Sequence, residues 1–161
     1  MKHLARGILM AIFFGVMGTS CLKDTVPDRT KEQEEAELQL FLEENDITTP
    51  PLESGLYYIE LQEGVGELPD SADVVSIYYV GQFLNGFVFD NNSGGTPLPI
   101  SIGSGQVIPG MEEGLKLMKK EGSALLIIPS ELAYGEYGVT GIIPPFMTLL
   151  YEVEVFDIAF D

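Results

Sequence analysis

At 161 residues with 45% hydrophobic content, the chain is long enough to bury one ordinary core with extensions to spare. Its 25 acidic residues against 8 basic ones set a formal net charge of −17, a field that repels phosphate backbones and anionic headgroups and argues against nucleic acid as a partner. The single histidine, His3, and the single cysteine, Cys21, both precede residue 22, so the rest of the chain has no imidazole to activate a nucleophile, no His or Cys cluster for zinc and no intrachain disulfide.

The N-terminal segment reads as an address. Lys2 and Arg6 precede an apolar run from Ile8 to Val16, then come Gly18, Thr19, Ser20 and Cys21. A basic start, a short apolar stretch and small residues are the layout of a secretory signal over residues 1–20. The run is about half the roughly 20 residues that span a bilayer, which favours a cleaved signal over a permanent membrane helix. Met17-Gly18-Thr19-Ser20-Cys21 resembles a bacterial lipobox, with Met where Leu is usual. That resemblance implies lipidation of Cys21, a mature chain starting there, and anchorage in the cell envelope, on a periplasmic or surface face, by acyl chains.

Residues 21–30 form a charged, weakly apolar tether with Lys23, Asp24, Asp28 and Arg29. Residues 31–51 hold a helix and linker. Thr30 followed by Gln33 is a capping-box pattern, and Leu38, Phe41 and Leu42 recur at helical spacing through Glu44. The acids Glu32, Glu34, Glu35 and Glu37 are expected to suit the helix macrodipole and the solvated face. The apolar stripe fits either packing on the chain's own domain or pairing of two copies. Thr48-Thr49-Pro50-Pro51 stops the helix.

Residues 52–161 form the domain proper. Strands are predicted over Leu56–Leu61, Val74–Phe83, Leu98–Ile102, Ala124–Ile128 and Thr148–Phe156, and one helix over Met111–Lys119 from the spacing of Met111, Leu115 and Met118. The fold class is therefore α+β, an antiparallel sheet of about five strands wrapped around one short helix, with an apolar groove between them. No GK[ST] loop or GxSxG elbow occurs, and Gly64-Val65-Gly66 lacks the third glycine of a dinucleotide fingerprint. Asp90-x-Asn92-x-Gly94 has the start of a calcium loop, but Ser101 stands where the closing Glu is needed, and the stretch reads as a flexible bulge beside the groove.

Several pieces resemble the FKBP family of peptidyl-prolyl cis-trans isomerases. They are Tyr79-Val80-Gly81; Asn85-Gly86 with Phe89-Asp90; Val107-Ile108-Pro109-Gly110-Met111-Glu112-Glu113-Gly114; Leu132-Ala133-Tyr134-Gly135; Gly141-Ile142-Ile143-Pro144-Pro145; and Thr148-Leu149-Leu150-Tyr151-Glu152-Val153-Glu154. They run in family order between Leu56 and Phe160, which is far more specific than any one of them. The resemblance implies isomerisation of X-Pro bonds in exported polypeptides, without cofactor or metal.

It also implies roles. Tyr79, Phe89, Leu98 and Tyr151 would line the pocket for the proline ring, and Met111 would be its floor. Val107 and Ile108 would form a wall, with the Ile108 amide holding a substrate carbonyl. Tyr134 would present its hydroxyl to the reacting amide, Ile142 and Ile143 would close the groove, and Asp90 would accept a hydrogen bond at the edge. Tyr79 and Tyr151 could equally be core, since they lie on central strands. Two departures stand out. Met111 replaces the family's usual Trp, giving a softer floor. No Arg follows Asp90 before Leu98 and Val139 stands where His is frequent, so Asp90 is expected to be less firmly oriented. The Met111 substitution keeps open a non-catalytic chaperone or peptide-binding module on the same fold. A carbohydrate-binding surface protein fits less well with a chain that has no Trp.

Overall fold

The computed structural model describes residues 29–161. The signal segment, Cys21 and all but the last two residues of the tether lie outside the described residues. In chain order the elements are α1 (Lys31–Glu44), β1 (Tyr57–Gln62), β2 (Val74–Phe83), β3 (Val88–Asn91), β4 (Leu98–Ser101), α2 (Pro109–Leu115), β5 (Ser123–Ile128) and β6 (Leu149–Ala159). No helix among the described residues is long and apolar enough to cross a membrane.

The strands make one antiparallel, six-stranded sheet in the order β1-β5-β6-β2-β3, with β4 also paired to β2. β2 and β6 form the central pair, running from Val74 opposite Ala159 to Phe83 opposite Leu149, with a bulge between Ser76 and Ile77. Strict alternation explains why both faces can be covered. On one face Val75, Ile77, Leu126, Ile128, Tyr151, Val153 and Val155 join Met111, Leu115 and Met118 in the main core. On the other, Tyr57, Ile127 and Leu150 meet Leu38 and Leu42 of α1. The apolar stripe of α1 thus packs on its own sheet.

α1 starts where its capping box places it: Thr30 Oγ1 accepts from the Gln33 amide and the Gln33 side chain accepts from the Thr30 amide. One expectation about α1 is overturned. Glu34 does not face solvent but is 3% exposed, its carboxylate accepting hydrogen bonds from Ser130 and Thr148. Buried hydrogen-bond donors some hundred residues further along the chain decide this, not the local helical pattern.

The described residues form a sixth strand beyond the expected five, β3, in a stretch where the sequence predicts none. β4 pairs with the first part of β2 and β3 with the last, and Asn92 bridges the gap between them. Its side chain accepts from the Tyr79 amide at 2.7 Å and donates to the Ile77 carbonyl at 3.0 Å, while its own amide donates to the Tyr79 carbonyl at 3.1 Å. The segment expected to be a loose bulge is pinned there to the β2 backbone.

α2 begins two residues earlier and ends four residues sooner than the Met111–Lys119 expectation. Pro109 occupies its first turn, where a missing N–H costs nothing. Gly110 and Gly114 let it lie directly on β5. A Cβ at Gly114 would sit 2.6 Å from Leu126 Cδ1, and one at Gly110 would run into Ile128. This close approach presses Met111 against the sheet.

Candidate active site

A cavity of about 430 Å³ opens between the sheet and the N-terminal end of α2. β2 contributes Ile77 and Tyr79, β3 Asp90, β4 Leu98 and Ile100, the segment before α2 Val107 and Ile108, α2 Met111, and β6 Tyr151. Tyr134 reaches it from the connection between β5 and β6. A second hollow of about 340 Å³ adjoins it, lined by Phe89, Val139, Ile142 and Ile143. Asp90, Tyr134 and Tyr151 line both hollows and so stand at the boundary between them.

The expected site residues are therefore gathered in two adjoining spaces. Phe89 lies in the second because its ring is fixed from behind, stacked on Phe83 with centroids 5.0 Å apart and edge-on to Tyr151 at 5.8 Å. Gly81 makes room for this arrangement, since a Cβ there would lie 2.8 Å from Tyr151 and 3.0 Å from Phe89. Ile142 is well exposed on the rim and Ile143 is buried beneath it. Met111, only 4% exposed, is set into the core below the main cavity. Tyr79 and Tyr151 are both core and lining: each packs with the buried cluster and each borders the cavity.

Sequence reasoning missed Ile77, Ile100, Gly105 and Gln106 as lining. Ile77 and Ile100 were accessible by period-two reasoning, because each is two residues from a named lining residue on the same strand.

The polar groups are few. The Tyr79 hydroxyl donates to Asp90 Oδ2 at 2.8 Å, so Asp90 is oriented by a tyrosine in a chain that supplies no arginine there. Burial, and then the bond to Asp90, push the Tyr79 phenol up to about 12. Burial pushes the Tyr151 phenol up as well, reinforced by Tyr134, Asp90 and Tyr79. Both rings thus stay neutral donors across ordinary pH. The Tyr134 and Tyr151 hydroxyls and the Ile108 amide have no acceptor among the described residues, which leaves them available as donors to a ligand carbonyl. The arrangement has the shape and apolar lining to take an apolar ring and the donors to meet an amide oxygen, and among the described residues no nucleophile there is paired with a base.

A profile of the family described as FKBP-type peptidyl-prolyl cis-trans isomerase matches residues 66–156, more than half of the chain. The chain belongs to that family. It is 41% identical over 137 residues to FKBP-type peptidyl-prolyl cis-trans isomerase FkpA of Escherichia coli (strain K12), an alignment covering 84% of this chain and 48% of that one. Against the FK506-binding protein of Neisseria meningitidis serogroup B it is 43% identical over 102 residues, covering 63% and 94% respectively.

Among solved structures, the crystal structure of FkpA from Escherichia coli superposes with a TM-score of 0.69 at 38% identity, covering 79% of this chain and 59% of that one. A peptidyl-prolyl cis-trans isomerase from Pseudomonas syringae pv. tomato gives 0.70 at 30% identity, covering 83% and 98%. The chain spans about half the length of the FkpA of Escherichia coli. The matched residues 66–156 hold β2 to β5, α2, most of β6 and the lining of both hollows, while α1 and β1 lie ahead of them.

Proposed function

We propose that this chain catalyses cis-trans isomerisation of X-Pro bonds in exported, incompletely folded polypeptides. The observation that carries the reading is the main cavity, apolar on most sides and bordered by the free Tyr134 hydroxyl and Ile108 amide. Rotation about the X-Pro bond must cross a barrier of about 20 kcal/mol because the planar amide loses its resonance. The twisted amide carries less charge separation, so a site that excludes water favours it over the planar ground state.

The proline ring enters between Tyr79, Tyr151, Val107 and Met111, with Leu98 at the rim. The Ile108 amide and the Tyr134 hydroxyl hold carbonyl oxygens on either side of the rotating bond, and Asp90, steadied by Tyr79, accepts from the substrate backbone. Phe89, Ile142 and Ile143 seat the neighbouring substrate residue in the second hollow. Ahead of the domain formed by residues 52–161, residues 1–20 direct export, Cys21 carries the lipid that holds the protein to an envelope membrane, residues 22–30 are spacer, and residues 31–51 are helix and linker.

The test is a protease-coupled assay of X-Pro isomerisation with the fragment from Leu22 onward. Acceleration over the uncatalysed rate, reduced by Tyr134→Ala and Asp90→Ala, is expected. No acceleration alongside intact binding of unfolded protein would replace the enzyme by a chaperone on the same fold, the reading that the softer Met111 floor favours. Metabolic labelling with a radioactive fatty acid, lost in Cys21→Ser, checks the anchor.

A further inference from the structure

The connection from Pro129 to Thr148 brings Tyr134, Val139, Ile142 and Ile143 to the two hollows. Its ends are gripped from outside the family-matched residues, by the first turn of α1 and by Arg29, just ahead of the Thr30 cap. Glu34 accepts from the Ser130 amide at 2.7 Å and the Ser130 hydroxyl at 2.6 Å at one stem, and from the Thr148 hydroxyl at 2.8 Å at the other. Lys31 pairs with Glu131, and Arg29, itself held in a two-pronged pair with Glu37, donates from Nε to the Phe146 carbonyl at 3.2 Å.

These contacts lead directly to the site. The Ser130 carbonyl accepts from the amides of Ala133 and Gly135 at 2.9 and 2.8 Å, the two residues flanking Tyr134. The Phe146 amide donates to the Gly135 carbonyl at 2.9 Å, closing the far stem onto the same turn. Docking of α1 does not by itself require a carboxylate at this position, because Leu38 and Leu42 already fix the helix on Tyr57, Ile127 and Leu150. A buried carboxylate spanning two stems instead sets the distance between them, and its loss would leave Ser130 and Thr148 with buried, unpaired hydrogen-bonding groups.

We propose that Glu34 is a positioning residue for the isomerase site: by joining Ser130 to Thr148 it holds the connection in the geometry that presents the Tyr134 hydroxyl to substrate. This rests on the isomerase reading. Glu34 touches no substrate and acts through Ser130, so substituting it changes how the Tyr134 turn is held and leaves the opposite wall of Val107, Ile108 and Met111 in place.

The test compares Glu34→Ala, Glu34→Gln, Thr148→Val and Leu42→Ala in the full chain in detergent, measuring X-Pro isomerisation and amide hydrogen exchange over residues 133–147 and 100–111. Glu34→Ala is expected to lower kcat/KM by about tenfold, as displaced catalytic groups do, and to speed exchange over 133–147 but not over 100–111. Glu34→Gln, whose oxygen still accepts from Ser130 and Thr148 and whose amide can donate to the Ser130 hydroxyl, restores most of both. Thr148→Val keeps the shape, removes one bond and moves both readouts less in the same direction, which preserves the comparison if Glu34→Ala does not fold. Leu42→Ala lowers resistance to urea without lowering kcat/KM.

Wild-type kcat/KM and exchange in Glu34→Ala would overturn the proposal. So would an equal loss of activity in Leu42→Ala, which would reduce Glu34 to part of helix docking. A wild-type protein with no isomerase activity would remove the isomerase reading alone, and the exchange comparison would still decide whether Glu34 holds the connection.

Discussion

Tyr79→Phe deletes one oxygen and keeps the ring that packs beside Tyr151 at a centroid distance of 5.9 Å. The oxygen donates to Asp90 at 2.8 Å, a bond to a carboxylate. Such bonds contribute about 1.5–3 kcal/mol when shielded, and this one lies at the mouth of an open cavity where water can replace it. A loss of about 1 kcal/mol is therefore expected, equivalent to roughly a fivefold fall in kcat/KM if Asp90 must point at the substrate. The assay is isomerisation of a short X-Pro peptide near neutral pH, with urea unfolding in parallel. Stability should fall by no more than that amount, because the carboxylate rehydrates. Asp90→Asn, which keeps an acceptor but loses the charge, should fall between wild type and Tyr79→Phe. An unchanged kcat/KM in Tyr79→Phe would show that the Tyr79 bond does not orient Asp90 for catalysis, and would refute the reasoning.

Gly81→Ala forces a methyl against Tyr151 and Phe89; overpacking of this kind costs about 1–3 kcal/mol, and both stability in urea and kcat/KM should drop because the same two rings border the site. Met111→Ala removes a buried side chain between α2 and the sheet, for an expected loss of about 2–5 kcal/mol, whereas Met111→Leu should stay within about 1.5 kcal/mol and retain activity. In alkaline solution the folded state holds the Tyr79 proton to about 12 against 10.0 for an ordinary tyrosine, so above pH 10 the unfolded chain binds fewer protons and stability falls as pH rises through that window. Tyr79→Phe should lose less stability between pH 10 and 12 than wild type, and an equal loss in equilibrium unfolding would contradict this.

The sequence was most legible where one local rule acted alone. The bounds of β2 follow from the β-branched and aromatic content of Val74–Phe83, the start of α1 from the Thr30–Gln33 capping box and its end from the apolar spacing that runs through to Glu44. β3 escaped because four residues directly after the Asn85-Gly86 turn give too little alternation to distinguish a strand, and its pairing with Val80–Gln82 is fixed by tertiary contact. α2 was misplaced because Met118 looks like its last apolar turn. In fact the helix stops at Leu115, and Met118 is buried by the turn that follows. Motif order brought most of the site's residues to attention, but not their division into two hollows, which depends on how Phe89 lodges behind Gly81. Glu34 was the least legible residue, because an acid in a first helical turn has an adequate local explanation and only folding brings Ser130 and Thr148 to it.

The aromatic make-up of the cavity has a practical consequence. The chain has seven tyrosines and no tryptophan, and Tyr79, Tyr134 and Tyr151 all border the main cavity. Three of the seven emitters of its intrinsic ultraviolet fluorescence thus stand where a ligand would sit, and occupancy can be followed by titration without a label. Phe87 offers a complementary beacon: it is 62% exposed and stacked on Phe83, which leads through Phe89 to Tyr151. A tryptophan placed there would be the sole indole in the protein, excitable at the red edge where tyrosine is dark, and would report from the surface while the cavity tyrosines report from within.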